Sequence, residues 1–298
     1  MMFIIKHRKI FYLISTLLIA ASIFALASWG LNFGIEFTGG SLMEVEFKTQ
    51  RPTPQTIEEK INEIELEEPL GSVTIQPTGE KGALIRTRDI SEDIHQSILQ
   101  KIQELGEVEE LRFESIGPVI GEELKEKSIY SIIIALIFIL IFVAFAFRKI
   151  SFIVKSYKYG VLAIAALFHD IIIVLGTFSI LGYFLNVEIG VAFVAALLAT
   201  LGYSVNDTIV VFDRVRENLL LIQDREDFET LVGKSLKQTL VRSLNTSLTT
   251  LLVLAAILFL GGSSIFYFVL ALMIGIAAGT YSSLFIASPL LVSWQKKT

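Results

Sequence analysis

Six apolar runs dominate the chain: residues 10–29, 129–147, 160–182, 189–212, 243–261 and 265–292. A helix needs about 20 mostly apolar residues to cross the roughly 30 Å hydrocarbon layer of a bilayer, so each run is long enough to span one. In lipid every backbone polar group must be satisfied within its own segment, which leaves the helix as the fold open to runs of this kind. The last run is long enough to tilt or to begin with an interfacial turn. One long polar stretch, residues 30–128, interrupts the series. The fold expected is an all-α six-helix membrane bundle with one separate α+β domain. Its parts are 1–29 (N-terminus and first span), 30–128 (polar domain) and 129–298 (spans two to six).

Charge supports this division. Only 18% of the 298 residues are charged, against about a quarter in soluble domains, and the mean hydropathy is +0.66. Residues 30–128 carry 21 Asp+Glu against 10 Lys+Arg, while the rest of the chain carries 9 against 15. Basic residues gather beside particular run ends: Lys6, Arg8 and Lys9; Arg148, Lys149, Lys155 and Lys158; Arg214, Arg216, Arg225, Lys234, Lys237 and Arg242; Lys296 and Lys297. The loops 183–188 and 262–264 have none. All the clusters fall on one side of the membrane, so both termini are expected in the cytoplasm and the acidic domain outside. Ala25-Leu26-Ala27 resembles a signal-cleavage site, but the run from Ile10 to Ala27 is longer than the usual ~7–15 residues of a signal core, and a retained anchor is expected. With no cysteine and three dispersed histidines (His7, His95, His169), disulfides and thiol chemistry are excluded, and neither a metal nor a cofactor is expected. No nucleic-acid partner is expected either.

Within 30–128, residues 41–47 alternate as a half-buried strand does, and Thr53-Pro54 opens a helix to about Ile64. Val73–Gln76 and Ala83–Arg88 read as strands around the Gly79–Gly82 turn. Ser91 and Asp93 begin a second helix with Ile94, Ile98, Ile102 and Leu105 on one face, and Val108–Glu114 is a last strand. This β-α-β-β-α-β order is that of a ferredoxin-like unit. The carboxylates read as a solvated surface and His95 as a residue on the polar side of its helix, so the domain is expected to bind or brace rather than to react.

Ionisable groups inside spans are expensive and mark functional candidates. Asp170 lies near the middle of the third run and Asp207, after Asn206, in the cytoplasmic half of the fourth; Arg242 opens the fifth at comparable depth. Thr200, Ser204 and Asp207 share one helical face, as do Arg242, Asn245 and Thr249 on the next span, so two polar stripes can face each other. Burial favours a neutral acid and a nearby guanidinium its ionised form, so such a site can be switched by small movements or by water entry. That is what a proton carrier requires. An interhelical salt bridge that only fixes the bundle accounts for the same residues. For Asp170 the structural reading is the stronger, since His169 projects about 100° away around the helix and no basic partner is evident at its depth. Asp213 and Arg216 read as a surface pair, and Gly275-x-x-x-Gly279 as a close-packing spacing. Walker A, HExxH and GxSxG patterns are absent, and the residues before Asp170 and Asp207 do not resemble the Gly-x-Gly of intramembrane aspartyl proteases.

Gly34-Ile35-Glu36-Phe37-Thr38-Gly39-Gly40, just past the first span, resembles the G-[IL]-D-F-x-G-G motif of the SecD/SecF protein-export family, with Glu36 where Asp is commoner. The run Gly202 to Asn218 (GYSVNDTIVVFDRVREN) and the segment Arg242 to Thr250 (RSLNTSLTT) are similar to the SecF branch, and the likeness covers essentially the whole chain. The resemblance implies an RND-like half with a ferredoxin-like outer domain. It implies pairing with SecD into a twelve-span unit that joins the SecYEG translocon, with YajC and YidC as further candidate partners. It also implies use of the proton gradient, or sodium in some bacteria, to draw unfolded secreted chains outward after SecA has pushed. By motif position Asp207 and Arg242 match the family's transport-essential pair; Asn206, Ser204, Thr249 and Asp170 are the further relay candidates. A scaffold that stabilises SecD and the translocon without transporting is the alternative. A small-molecule exporter would need a substrate pocket that 99 residues leave little room for.

Overall fold

The computed structural model describes residues 2–66, 68–71, 73–147, 156–221 and 227–295. Arg148, Lys149, Lys155, Arg225, Lys296 and Lys297, which entered the orientation argument, lie outside the described residues. The chain forms two compact units, Phe33–Ile129 and the helices that flank it in sequence.

A short helix α1 (Met2–Lys6) precedes the first long one, α2 (Arg8–Trp29). The small unit begins with a single turn, α3 (Ile35–Thr38), which ends on two glycines of positive φ, Gly39 (+73°) and Gly40 (+125°). A Cβ at Gly39 would lie 2.6 Å from Pro118 Cα, and one at Gly40 would lie 2.8 Å from the Thr87 carbonyl oxygen, so both positions require glycine. Phe37 is buried, whereas Gly34 starts the turn and Glu36 is half-buried.

Then follow β1 (Gly40–Phe47), α4 (Pro54–Asn62), β2 (Thr74–Thr78), β3 (Gly82–Thr87), α5 (Glu92–Gln103) and β4 (Val108–Ile116). Thr53 caps α4, its hydroxyl accepting from Thr56 N–H at 3.2 Å. The sheet order is β2-β3-β1-β4, every pair antiparallel, with a bulge at Glu44/Val45. This is the ferredoxin-like arrangement. Met43, Val45, Phe47, Ala83 and Ile85 from the sheet pack with Ile57 and Ile61 of α4 and Ile98 and Ile102 of α5. His95 corrects the sequence reading: it is 4% exposed, stacked on Phe113 at 3.6 Å between ring centroids, with Glu92 at 3.1 Å and Glu110 at 2.8 Å on its two ring nitrogens. It lies three and seven residues before Ile98 and Ile102, on the buried face, and the carboxylates let a polar ring sit there. Glu92 is held below the usual carboxylate range by the Gln96 amide, then by His95.

The remaining helices are α6 (Pro118–Ala146), α7 (Ser156–Leu185), α8 (Val191–Leu221), α9 (Phe228–Leu260), α10 (Ser263–Ser282) and α11 (Ser288–Gln295), the last two joined by a π-helical turn, Ser283–Ala287. With α2 they supply six helical spans long and apolar enough to cross a membrane. Residues of α7, α8 and the last span are half or more buried, against 17% for α2, 6% for α6 and 11% for α9, so three spans form the core and three its rim. α2 packs closely on α7: a Cβ at Gly176 would meet Ser22, and Ser179 donates to the Ala25 carbonyl at 2.9 Å.

Two features run beyond the apolar pattern. α8 and α9 continue past their apolar runs, because Val215, Leu219, Leu231, Val232 and Leu236 are buried together and Asn218 donates to Ser235 (2.8 Å) and Gln238 (2.9 Å). α1 joins the same cluster through Ile4 and Ile5, and Arg8 pairs with Glu229 at 3.1 Å. The π-helical turn directly precedes Ser288-Pro289; proline has no N–H for the carbonyl four residues back and its ring crowds it, which widens the turn.

Candidate functional site

On α8, Thr200, Ser204 and Asp207 are all buried, exposed by 1%, 1% and 5%. They face the core because α10 packs there through its glycines: a Cβ at Gly275 would lie 2.4 Å from Thr200 side-chain atoms and one at Gly279 would lie 2.7 Å from Ser204 Cβ. Ser204 gives its hydroxyl to Asp170 Oδ2 at 2.5 Å, away from Asp207.

Asp170, on α7, is completely buried and well satisfied. Its Oδ2 also accepts from Ser282 Oγ at 2.9 Å, and its Oδ1 bonds His169 Nδ1 at 2.9 Å. The expectation that His169 points elsewhere is therefore overturned: both side chains are long enough to bridge the 100° between neighbouring positions once Ser204 and Ser282 hold the carboxylate's other oxygen.

Asp207 is surrounded differently. Oδ2 is buried without a hydrogen-bond partner, and so is Ser243 Oγ. Ser243 and Ser247 of α9 lie beside the carboxyl; Arg242 is close enough for its charge to be felt, yet the two form no ion pair within 4.0 Å. The facing stripe thus differs from the one expected. Arg242, Asn245 and Thr249 do share a face of α9, but that face is exposed, and Ser243 and Ser247 turn inward. Thr249 spends its hydroxyl on its own helix, at 2.9 Å from both Asn245 O and Thr246 O. Asn206 is exposed on α8. The physical reason is packing: α10 approaches α9 closely at small hydroxyl residues, where Thr280 donates to Ser247 Oγ at 2.6 Å.

Further hydroxyls tie this region together. Thr208 and Ser283 bond at 2.8 Å, and Ser283 reaches Ser204 O at 3.4 Å. Ser243, Ser247, Thr280, Ser282, Ser283 and Thr208 escaped the sequence reading; their signals are the i, i+4 spacing of Ser243 with Ser247 and of Ser204 with Thr208, and the clustering of Thr280, Ser282 and Ser283 within an apolar run. Past Asp207, a cleft of about 260 Å³ is lined by Val210, Asp213, Arg214, Glu217, Gln238, Thr239 and Arg242. Asp213 pairs with Arg216 at 3.2 Å, and Arg214 with Glu217. Among the described residues no three His, Asp or Glu side chains converge as metal ligands would.

Comparison with known proteins adds an independent line. The family model of the protein export membrane protein SecD/SecF, C-terminal region, matches residues 95–297, and that of the SecD/SecF GG motif matches residues 24–50. Protein translocase subunit SecF of Thermobaculum terrenum is 44% identical over 99% of this chain and 94% of its own. SecF of Vibrio alginolyticus is 41% identical over 96% and 87%. The crystal structure of SecDF, a translocon-associated membrane protein from Thermus thermophilus, matches with a TM-score of 0.84 at 34% identity over 98% of this chain. SecDF in its super-membrane-facing form matches with a TM-score of 0.65 over 97%. The chain spans 38% of either SecDF chain.

Proposed function

The chain belongs to the SecD/SecF family of protein-export membrane proteins, and from that premise we propose that it is the SecF-type half of a SecDF unit, an accessory to Sec-dependent export. It pairs with a SecD-type subunit and, through it, with the SecYEG translocon. Residues 30–128 form the extracytoplasmic domain, with both termini in the cytoplasm of a bacterial inner-membrane protein. The proton gradient drives the cycle, entering as protonation of Asp207.

One observation carries this reading: a carboxyl oxygen buried in a span with no hydrogen bond, beside an equally unpaired serine hydroxyl. An unpaired buried polar group costs about 1–3 kcal/mol, a penalty that folding alone has no reason to retain. A site that must take up and release a cation does have one. Arg242, not locked into an ion pair, tunes the acid without quenching it. A proton crossing 100 mV supplies about 2.3 kcal/mol, enough to bias a two-state movement about fiftyfold. The pairing with SecD is supported by the rim: Asn206, Arg242 and Asn245 are exposed, near Leu244, Leu248, Leu252 and Val253, where lipid would leave their polar groups unsatisfied and a partner helix would cover them.

Asp207→Asn keeps the shape and removes the titration. In the reconstituted SecD-type complex it should abolish proton-dependent current and gradient-stimulated secretion. Wild-type current and secretion in that variant would overturn the carrier assignment. The scaffold alternative is favoured by the hydroxyl network that binds α7, α8, α9 and α10 together. Arg242→Met separates the two readings: a scaffold assembles poorly but exports normally once assembled, whereas a carrier assembles and fails to export.

A further inference from the structure

The bundle contains a second pair of ionisable groups that the Asp207 site does not use. We propose that His169 and Asp170 form a second proton-binding site, a dyad holding one proton between Nδ1 and Oδ1, with Ser204 linking its occupancy to the helix that carries Asp207.

Charge arithmetic within a closed site supports this. His169 is 2% and Asp170 0% exposed, and no Lys or Arg pairs with Asp170 among the described residues. An ionised Asp170 beside a neutral imidazole would bury a lone negative charge; a protonated acid beside an imidazolium would bury a lone positive one. Each costs several kcal/mol. The two net-neutral arrangements both keep a proton on Nδ1 facing Oδ1 across the 2.9 Å contact: imidazolium with carboxylate, or imidazole bare at Nε2 with a carboxylic acid whose proton sits on Oδ2. The groups facing the dyad from other elements are few. α10 gives the Tyr281 ring, stacked on His169 at 6.0 Å, and the Ser282 hydroxyl. α8 gives Ser204 and, three residues on, Asp207. α2 gives only Ser15, whose hydroxyl reaches Tyr281 OH at 3.5 Å. His169 Nε2 is buried without a partner, so the ring is fixed through Nδ1 alone and keeps a free nitrogen for a second proton step.

The link to Asp207 runs through hydroxyls that must re-orient when the dyad changes form. An ionised Asp170 accepts from both Ser204 and Ser282. As a neutral acid with its proton on Oδ2 it must donate to one of them, which turns that hydroxyl elsewhere: Ser282 towards Gly279 O, already 3.1 Å away, or Ser204 towards its own helix. Two residues before Ser282, Thr280 holds Ser247 beside Asp207, and directly after Ser282 the helix widens into the π-helical turn. α8 therefore carries Asp207 and touches Asp170, while α10 touches Asp170 directly and the surroundings of Asp207 through Ser247.

The chain has three histidines, so ¹⁵N-histidine spectra of the full-length wild-type protein resolve His169 once His169→Gln assigns it. Expected are an Nδ1-bound proton and a carboxyl infrared band that disappears in Asp170→Asn but persists in Asp207→Asn. The dyad's response to pH should also change in Asp207→Asn, where the neighbouring group can no longer ionise. A His169 Nδ1 without a proton at every pH, or no infrared band sensitive to Asp170→Asn, overturns the second site. A pH response unchanged by Asp207→Asn overturns the link. These readouts need no transport. The dyad's part in a cycle rests on the carrier reading and is tested by the pH profile of the current, which Asp170→Asn should shift; failure of the carrier reading would appear separately, as wild-type current in Asp207→Asn.

Discussion

Asp170 and Asp207 lie on neighbouring helices, almost equally closed off, and their surroundings are opposite. Asp170 is held by His169, Ser204 and Ser282 from three helices, while Asp207 keeps an oxygen with no partner at all. Burial therefore does not distinguish them; satisfaction does. A saturated acid ties helices together, and one with a bare oxygen carries an energetic debt that an arriving ligand would remove. On the proposed reading Asp170 holds the helices in register while its proton stays within the His169 dyad, and Asp207 takes up the proton that the gradient supplies.

Deleting each carboxyl tests this contrast most severely. Asp170→Ala strands His169 and frees two hydroxyls, and should destabilise the full chain by about 2–4 kcal/mol. Asp207→Ala removes a carboxyl with one unpaired oxygen, so relief of that penalty offsets lost packing and the net change in stability should stay within about 1 kcal/mol. Thermal unfolding in detergent measures both, and equal losses would end the distinction. A smaller effect is expected one step away. Gly279→Ala drives a methyl towards Ser204 Cβ, 2.7 Å from the position a Cβ takes, and should cost about 1–3 kcal/mol by pushing α10 off α8. Combined with Asp170→Ala it should add less than its separate cost, since both act on the Ser204 contact. Full additivity would show that the glycine and the acid work independently. Ser247→Ala is milder still: the Thr280 hydroxyl can turn wholly to Ile276 O, 2.8 Å away, so about 0.5–1 kcal/mol should be lost, read in the same melts.

Much of this architecture was readable in the residues. The six runs, the ferredoxin-like element order and the charged positions inside spans follow from periodicity and from the expense of charge in lipid. What escaped is orientation within a polar helix. Arg242, Ser243, Asn245, Ser247 and Thr249 are all polar, so α9 has no apolar stripe to declare its inner face, and the choice falls to α10, whose close approach selects the small hydroxyls. His95 was misread for a related reason: a histidine counts as polar until a carboxylate stands on each ring nitrogen. The ends of α8 and α9 that run past the apolar stretches contain too many charges to read as apolar runs, and only their mutual packing extends them.

The same contrast between saturated and bare charge is weakest where water can serve as a partner, and the smallest effect is expected there. Lys60 on α4 bonds Glu63 at 2.7 Å and Glu104 at 3.1 Å, and Lys101 on α5 reaches the same two acids at 3.3 and 3.2 Å. Lys60 chiefly, then Lys101, holds both glutamates below the usual carboxylate range of 4.5. A depressed carboxylate stabilises the fold above the unfolded-state value and loses that contribution as pH falls through the folded value. The α4–α5 contact should therefore loosen only below about pH 4.5. Hydrogen exchange of the Ile61 and Ile102 amides, measured at pH 6 and pH 3.5, should show slightly less protection at the lower pH. In Lys60→Met the step should shrink, and at pH 6 salt should narrow the difference between the two proteins, because exposed pairs are screened. A wild-type-sized pH step in Lys60→Met would mean that the four charges merely coincide on the surface and that satisfaction distinguishes acids in the membrane alone.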